Sequence, residues 1–259
     1  MAVKLAFEQS GSGDAVILLH GLFGSRRNLN SIARHLSSDH AVCTPDLRNH
    51  GNSPHHDTMD YRSMAADIYA LMDDCNLNRA VLIGHSMGGK IAMVNALLNP
   101  EMVTALVVLD IAPARYNFEH THILDSLASL DPDTISSRQE ADRLLGKEYA
   151  NPMFRQFLLQ NMVRRDGRYA WRLNLQAIRT NIDHITGFPD DFEGGYSGPT
   201  LFLGGEHSSY IKEQHRDEIN RLFPDNEIRK IRDAGHWLHA EQGKAVNREI
   251  SGFLEKLNY

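Results

Sequence analysis

The sequence predicts an α/β protein with a mostly parallel central sheet, helices on both faces and an inserted helical cap. Three observations predict it. Apolar runs of strand length alternate with segments of helical apolar spacing over residues 15–113, the pattern of strands joined by crossover helices. Over residues 114–197 this gives way to polar, helix-leaning segments, and from residue 199 strand and helix alternate again. The core is therefore expected over 1–113 and 198–259, with 114–197 as the insertion.

Ala15–Leu19 is continuously apolar and reads as a strand buried on both faces, closed by His20-Gly21. Helical spacing marks 29–36, and 41–43 is a second strand running into Pro45-Asp46 and a polar, Gly-containing loop at 48–54. Segment 61–75 places Met64, Ala65, Ile68, Leu71 and Met72 on one helical face, leaving Asp67, Asp73 and Asp74 as expected solvated charge. A third strand at 80–83 ends at Gly84, and a helix from Gly88 to Leu98 is stopped by Asn99-Pro100. The fourth strand, 103–109, ends in Asp110-Ile111-Ala112-Pro113. Helices are expected in the insertion over 138–145, 154–164 and 171–180. A strand at 199–203, a helix at 213–223, a strand at 227–231 and a helix at 245–257 complete the chain.

With 42% hydrophobic and 23% charged residues, the chain has the balance of an ordinary globular protein. A net charge of −6 and a pI near 6.1 argue against nucleic acid or anionic lipid as the main partner, since both need a concentrated basic surface. A small organic substrate is expected instead. Residues 1–10 lack the apolar run of a signal peptide and no stretch reads as a membrane span, so a cytoplasmic location is expected. Cys43 and Cys75 read as buried free thiols. Fourteen histidines include no H-E-x-x-H pair, and His50, His55 and His56 read as a solvated polar loop, so no metal is expected.

Gly84-His85-Ser86-Met87-Gly88 matches G-x-S-x-G between a predicted strand and a predicted helix. A strand-to-helix turn that sharp leaves room only for small residues two positions either side of the serine, which makes Ser86 the candidate nucleophile. The helix directs its positive end beside Ser86 Oγ, so the Met87 amide is one candidate oxyanion donor. The loop after the first strand, His20-Gly21-Leu22-Phe23-Gly24, should supply the second from Leu22, with Phe23 as the alternative. Asp233-Ala234-Gly235-His236-Trp237 follows the last strand, and His236 is the expected general base. Phe23, His85 and Trp237, with Leu238 and Met87, are expected to line a substrate pocket. Arg26 and Arg27, just after this loop, read as solvated charge, with contact to a substrate carboxylate or phosphate as the alternative.

These residues resemble the α/β-hydrolase superfamily from about Ala15 to the C-terminus. The stretches 22–25 (LFGS), 46–53 (DLRNHGNS), 110–113 (DIAP) and 234–237 (AGHW) are similar to the small bacterial YbfF-type carboxylesterases. The resemblance implies hydrolysis of short acyl esters or thioesters, without a cofactor, under a helical cap. Many superfamily members carry the triad acid in a G-x-x-D pattern after the cap, whereas this chain has Gly205-Glu206-His207-Ser208, with Ser208 at the Asp position. Asp110, at the end of the strand after the nucleophile strand, is therefore the expected acid, a position to which the resemblance also points, and Glu206 is the runner-up. A carbon–carbon bond hydrolase or cofactor-free perhydrolase would use the same triad. A ligand receptor that has lost turnover is the reading from a different class.

Overall fold

Runs of Val, Ile, Leu and Ala make the interior of a seven-stranded sheet in a computed structural model that describes residues 1–116 and 120–259. In chain order the strands are β1 (Phe7–Ser10), β2 (Ala15–Leu19), β3 (Ala41–Pro45), β4 (Ala80–His85), β5 (Val103–Leu109), β6 (Met162–Arg165), β7 (Arg168–Trp171), β8 (Thr200–Gly205) and β9 (Asn226–Ile231). β6 and β7 form a separate hairpin, and the other seven follow the order β1-β3-β2-β4-β5-β8-β9. Every pairing in the large sheet is parallel except β1 against β3. The sequence reading missed β1, a mostly exposed edge strand whose Phe-Glu-Gln-Ser has no apolar run.

The helices are α1 (Asn30–Leu36), α2 (Tyr61–Asp74), α3 (Met87–Leu98), α4 (His120–Ser129), α5 (Arg138–Leu145), α6 (Pro152–Leu159), α7 (Leu175–Thr180), α8 (Ile182–Thr186), α9 (Arg216–Leu222), α10 (Leu238–Glu241) and α11 (Gly243–Lys256). Because side chains alternate across a strand, β2 feeds both layers. Ile17 and Leu19 join the core with α2 and α3, while Val16 and Leu18 join the core with α1 and α11. Each such fully buried aliphatic contributes about 1.5–3 kcal/mol relative to exposure.

α4–α8 and the β6–β7 hairpin all lie between β5 and β8. The helix expected over 154–164 stops at Leu159, and the chain enters β6 at Met162. Buried Asn161 ends that helix by donating its side-chain amide to the Leu158 carbonyl (3.1 Å) and to Phe23 in the core (2.8 Å). The hairpin turns through Asp166 (φ 50°) and Gly167 (φ 81°), a dipeptide that favours tight hairpins and was available in the sequence. Trp171 accordingly starts no helix but closes β7 opposite Met162.

Two charge assignments are corrected. Asp67 is buried rather than solvated, because Arg48, also buried, pairs with it through Nε (2.6 Å) and Nη2 (2.7 Å). The guanidinium also donates to the Thr58 and Ser63 carbonyls. His50 is buried too, for reasons that belong to the site. Cys43 is buried, whereas Cys75, at the C-terminal end of α2, is half-buried.

Candidate active site

Parallel registry aligns the carboxyl ends of β2, β4, β5, β8 and β9, the edge at which open α/β sheets gather their chemistry. Ser86 lies between β4 and α3 with φ 52° and ψ −118°, a strained conformation for a residue with a side chain. Its backbone is fixed on both sides, Ser86 N–H donating to Leu109 (3.0 Å) and Lys90 N–H to the Ser86 carbonyl (3.1 Å). The flanking glycines are required by space. A Cβ on Gly84 would lie 2.2 Å from the Gly88 carbonyl oxygen, and one on Gly88 would lie 2.2 Å from that of Leu19.

His236 stands between Ser86 and Asp110. Its Nδ1–H donates to Asp110 Oδ2 at 2.8 Å, and its Nε2 faces Ser86 Oγ at 3.2 Å. The Tyr210 ring stacks on the imidazole with centroids 3.9 Å apart, fixing its plane. Asp110 is fully buried at φ 52°; its Oδ1 accepts Gly205 N–H at 2.9 Å, and its Oδ2 also accepts the Ser208 hydroxyl. Ser208, noted in the sequence only for not being Asp, thus touches the carboxylate that reaches His236. Glu206 is exposed and accepts Asp233 N–H at 3.0 Å, so the structure brings Asp110, not Glu206, to the histidine.

Histidines shape the site beyond His236. Buried His85 donates Nε2–H to the His236 carbonyl (2.9 Å) and packs edge-on against His239. Burial, reinforced by its histidine neighbours, holds His85 well below the usual histidine range, and burial beside His236 brings His239 down to about 4. On the opposite side, Gly24 N–H closes a turn onto Gly21 (3.0 Å), with Phe23 at φ 61° in the place that ordinarily selects glycine. Phe23 N–H donates to His50 Nε2 (3.2 Å), whose Nδ1–H donates to Arg48 (2.8 Å). His20 behaves alike, accepting from Leu47 N–H and donating to the Gly21 carbonyl. An imidazole that accepts an amide proton is uncharged, in keeping with burial lowering His20 and pushing His50 down to about 3.

His50 is thereby removed from the expected polar loop, because both its nitrogens are engaged inside the protein. Phe23 N–H is occupied, whereas the Leu22 and Met87 amides make no hydrogen bond among the described residues.

A cavity of about 310 Å³ opens at Ser86, and Phe23, His85, His236 and Trp237 line it. Phe154, Phe157, Ile123 and Tyr149, from the segment between β5 and β8, form its far wall, and Trp237 lies 5.6 and 5.8 Å from the Phe154 and Phe157 rings. Sequence reasoning missed these residues, since neither helical spacing nor composition reveals which helix face turns toward Ser86. Two expected lining residues lie elsewhere. Leu238 packs with Val246 and Ile250 on the opposite face of the sheet, because it begins the helical turn that leads into α11, and Met87 points into a smaller cavity. Arg26 is partly buried against Asp46 and Glu8, while Arg27 is exposed. Among the described residues, Glu206, His207 and Asp233 bring possible metal-ligand atoms within 4.8 Å, but all three are exposed.

Comparison with known proteins gives one consistent picture. The family described as alpha/beta hydrolase fold matches residues 14–242. The sn-1-specific diacylglycerol lipase ABHD11 of Danio rerio is 42% identical, the match covering 96% of this chain and 81% of that protein. Esterase YbfF of Escherichia coli strain K12 is 37% identical over 92% of both chains. A solved marine microorganism esterase superposes with a TM-score of 0.96 at 39% identity, covering 98% of this chain and all of the other.

Proposed function

Since the chain belongs to the α/β-hydrolase family and is a hydrolase of ester bonds, we propose that it is a serine carboxylesterase working through an acyl-serine intermediate. The observation that carries this reading is the line from Ser86 Oγ through His236 to buried Asp110 at the mouth of an apolar cavity. Ser86 Oγ attacks the ester carbonyl carbon while His236 Nε2 takes its proton. The Leu22 and Met87 amides hold the oxyanion, with the N-terminus of α3 adding favourable field. His236 returns the proton to the departing alcohol, and a water activated by the same nitrogen releases the acid. Asp110 keeps His236 in the tautomer whose free nitrogen faces Ser86 and stabilises the imidazolium.

Short acyl esters are the proposed substrates, and thioesters would use the same groups. Residues 114–197 act as the cap, supplying the cavity's far wall.

Fluorophosphonate labelling, with p-nitrophenyl esters and acyl-CoA thioesters ranked by kcat/KM, tests the proposal. The wild type is expected to label and turn over, and Ser86→Ala to lose labelling and about 10³-fold or more of kcat with its fold intact. Residual activity within about tenfold of wild type would overturn the mechanism.

A further inference from the structure

Ser86 borders two cavities of very unequal size. The larger, about 310 Å³, holds His236 in its wall. The smaller, about 20 Å³, lies among Met87, Lys90, Ile111, Tyr116 and Ile185, and His236 does not line it. Leu22 and Tyr210 border both.

The chemistry of acyl transfer assigns a direction to each. The tetrahedral carbon on Ser86 Oγ carries the oxyanion, the leaving oxygen and the acyl chain. The leaving oxygen must come within about 2.6–3.2 Å of the group that protonates it, and that group is His236. The alcohol therefore occupies the larger cavity. With the oxyanion held at the Leu22 and Met87 amides, the acyl chain departs on the side away from His236, toward the smaller cavity walled by Lys90, Ile111 and Tyr116. A space of 20 Å³ admits little more than one water- or methyl-sized group.

The walls of the small cavity are fixed by hydrogen bonds. Buried Lys90 Nζ donates to the Thr186 and Gly187 carbonyls at 2.9 and 2.5 Å. Tyr61 OH donates to Ile185 at 2.6 Å, and Tyr116 OH accepts Ala112 N–H at 2.9 Å and donates to the Tyr210 carbonyl at 2.5 Å. Widening the cavity would strip partners from a buried amine and from buried carbonyls, which is costly. The larger cavity is bounded by Ile123, Phe154, Phe157 and Trp237, whose packing carries no such constraint.

We infer that Ser86 separates an acyl subsite of acetyl size, closed by Lys90, Ile111 and Tyr116, from an alcohol subsite that takes a large apolar or aromatic alcohol. The inference rests on the esterase reading and deepens it.

Two ester series on the wild-type protein test it. One holds the alcohol as hexanol and lengthens the acyl group from acetyl to octanoyl; the other holds acetyl and lengthens the alcohol from ethanol to octanol. In the first, kcat/KM is expected to fall at least about tenfold between acetyl and butyryl, the signature of overpacking. In the second it should rise by up to about fourfold per methylene until the cavity fills. Ile111→Ala should move the acyl optimum to propionyl or butyryl and leave the order of acetates unchanged; if that variant fails to fold, the wild-type series still decide. A preference for octanoyl over acetyl, or acetates indifferent to their alcohol, would overturn the inference while leaving the esterase reading standing. Failure to hydrolyse either series would bring down both.

Discussion

Asp110 presents only lone pairs to three donors: His236 Nδ1–H, the Ser208 hydroxyl and Gly205 N–H. Replacement by Asn keeps the shape and exchanges one acceptor oxygen for an NH2 donor. Gly205 N–H belongs to the sheet and cannot turn away, so the Asn oxygen is expected to stay with it. The new NH2 then faces His236 Nδ1, which must become the acceptor, and the ring's proton moves to Nε2, where it opposes Ser86. Ser208 can rotate to accept. The change therefore falls on the tautomer rather than on packing, and the comparable substitution in a serine protease lowers kcat by about 10⁴. That is about 5.5 kcal/mol of transition-state stabilisation. We expect Asp110→Asn to lose between about 10² and 10⁴ in kcat for p-nitrophenyl acetate, with little change in thermal midpoint. Glu206→Gln, which alters an exposed contact to Asp233, should stay within about twofold. A nearly silent Asp110→Asn beside a crippled Glu206→Gln would refute the assignment and return the acid to the loop after the insertion.

Three other outcomes follow from the same contacts. Arg48→Met leaves the buried Asp67 carboxylate with the Val3 amide but no countercharge and should cost about 3–5 kcal/mol in urea unfolding; a loss below about 1 kcal/mol would show that the pair is not supporting the fold. Asn161→Ala removes the shorter of the two side-chain amide bonds to the Phe23 carbonyl, in the turn bearing the Leu22 amide, and leaves only Gln160 Nε2 at 3.4 Å. It should lower kcat about tenfold with KM little changed, less than the 10²–10³ for deleting an oxyanion donor because the amide is loosened, not removed, and an effect on KM alone would count against that role. His50 and His239 have folded values near 3 and 4, below the unfolded value near 6.5. The unfolded chain therefore takes up protons first as pH falls, and each residue is expected to withdraw about 1.6 kcal/mol of stability between pH 6.5 and 5. Thermal midpoints unchanged from pH 7 to 5 would contradict the buried, neutral assignment.

The parallel layer was legible because strands buried on both faces, such as β2 and β4, must be continuously apolar. The placement of Ser86 and His236 at one edge of the sheet was legible because their local backbone constraints fall on neighbouring residues in the chain. Asp110 needed a further step, reached through the Ser at position 208. Long-range polar contacts were not legible. The burial of Asp67 depends on Arg48, 19 positions earlier, and that of His50 on the Phe23 amide, 27 positions earlier. Neither leaves a periodic signal, so each charged or polar side chain read locally as solvated. The cavity wall was hidden for a related reason: Phe154 and Phe157 lie on a short helix, and its direction toward Trp237 is set by tertiary docking rather than by its own spacing.

The mutual closeness of Gly84, Gly88 and the end of β2 has a consequence for redesign. Each glycine is excluded from change by main-chain atoms, which cannot adopt another rotamer to make room. The side chain of residue 86 projects instead into open cavity, and its unusual backbone angles impose the same strain on any side chain without β-branching. The turn between β4 and α3 is thus a fixed mount with one exchangeable part. Substituting Cys or Asp at position 86 would change the attacking group from a hydroxyl to a thiol or a carboxylate with the mount left in place, whereas a single methyl on Gly84 or Gly88 would move the mount itself.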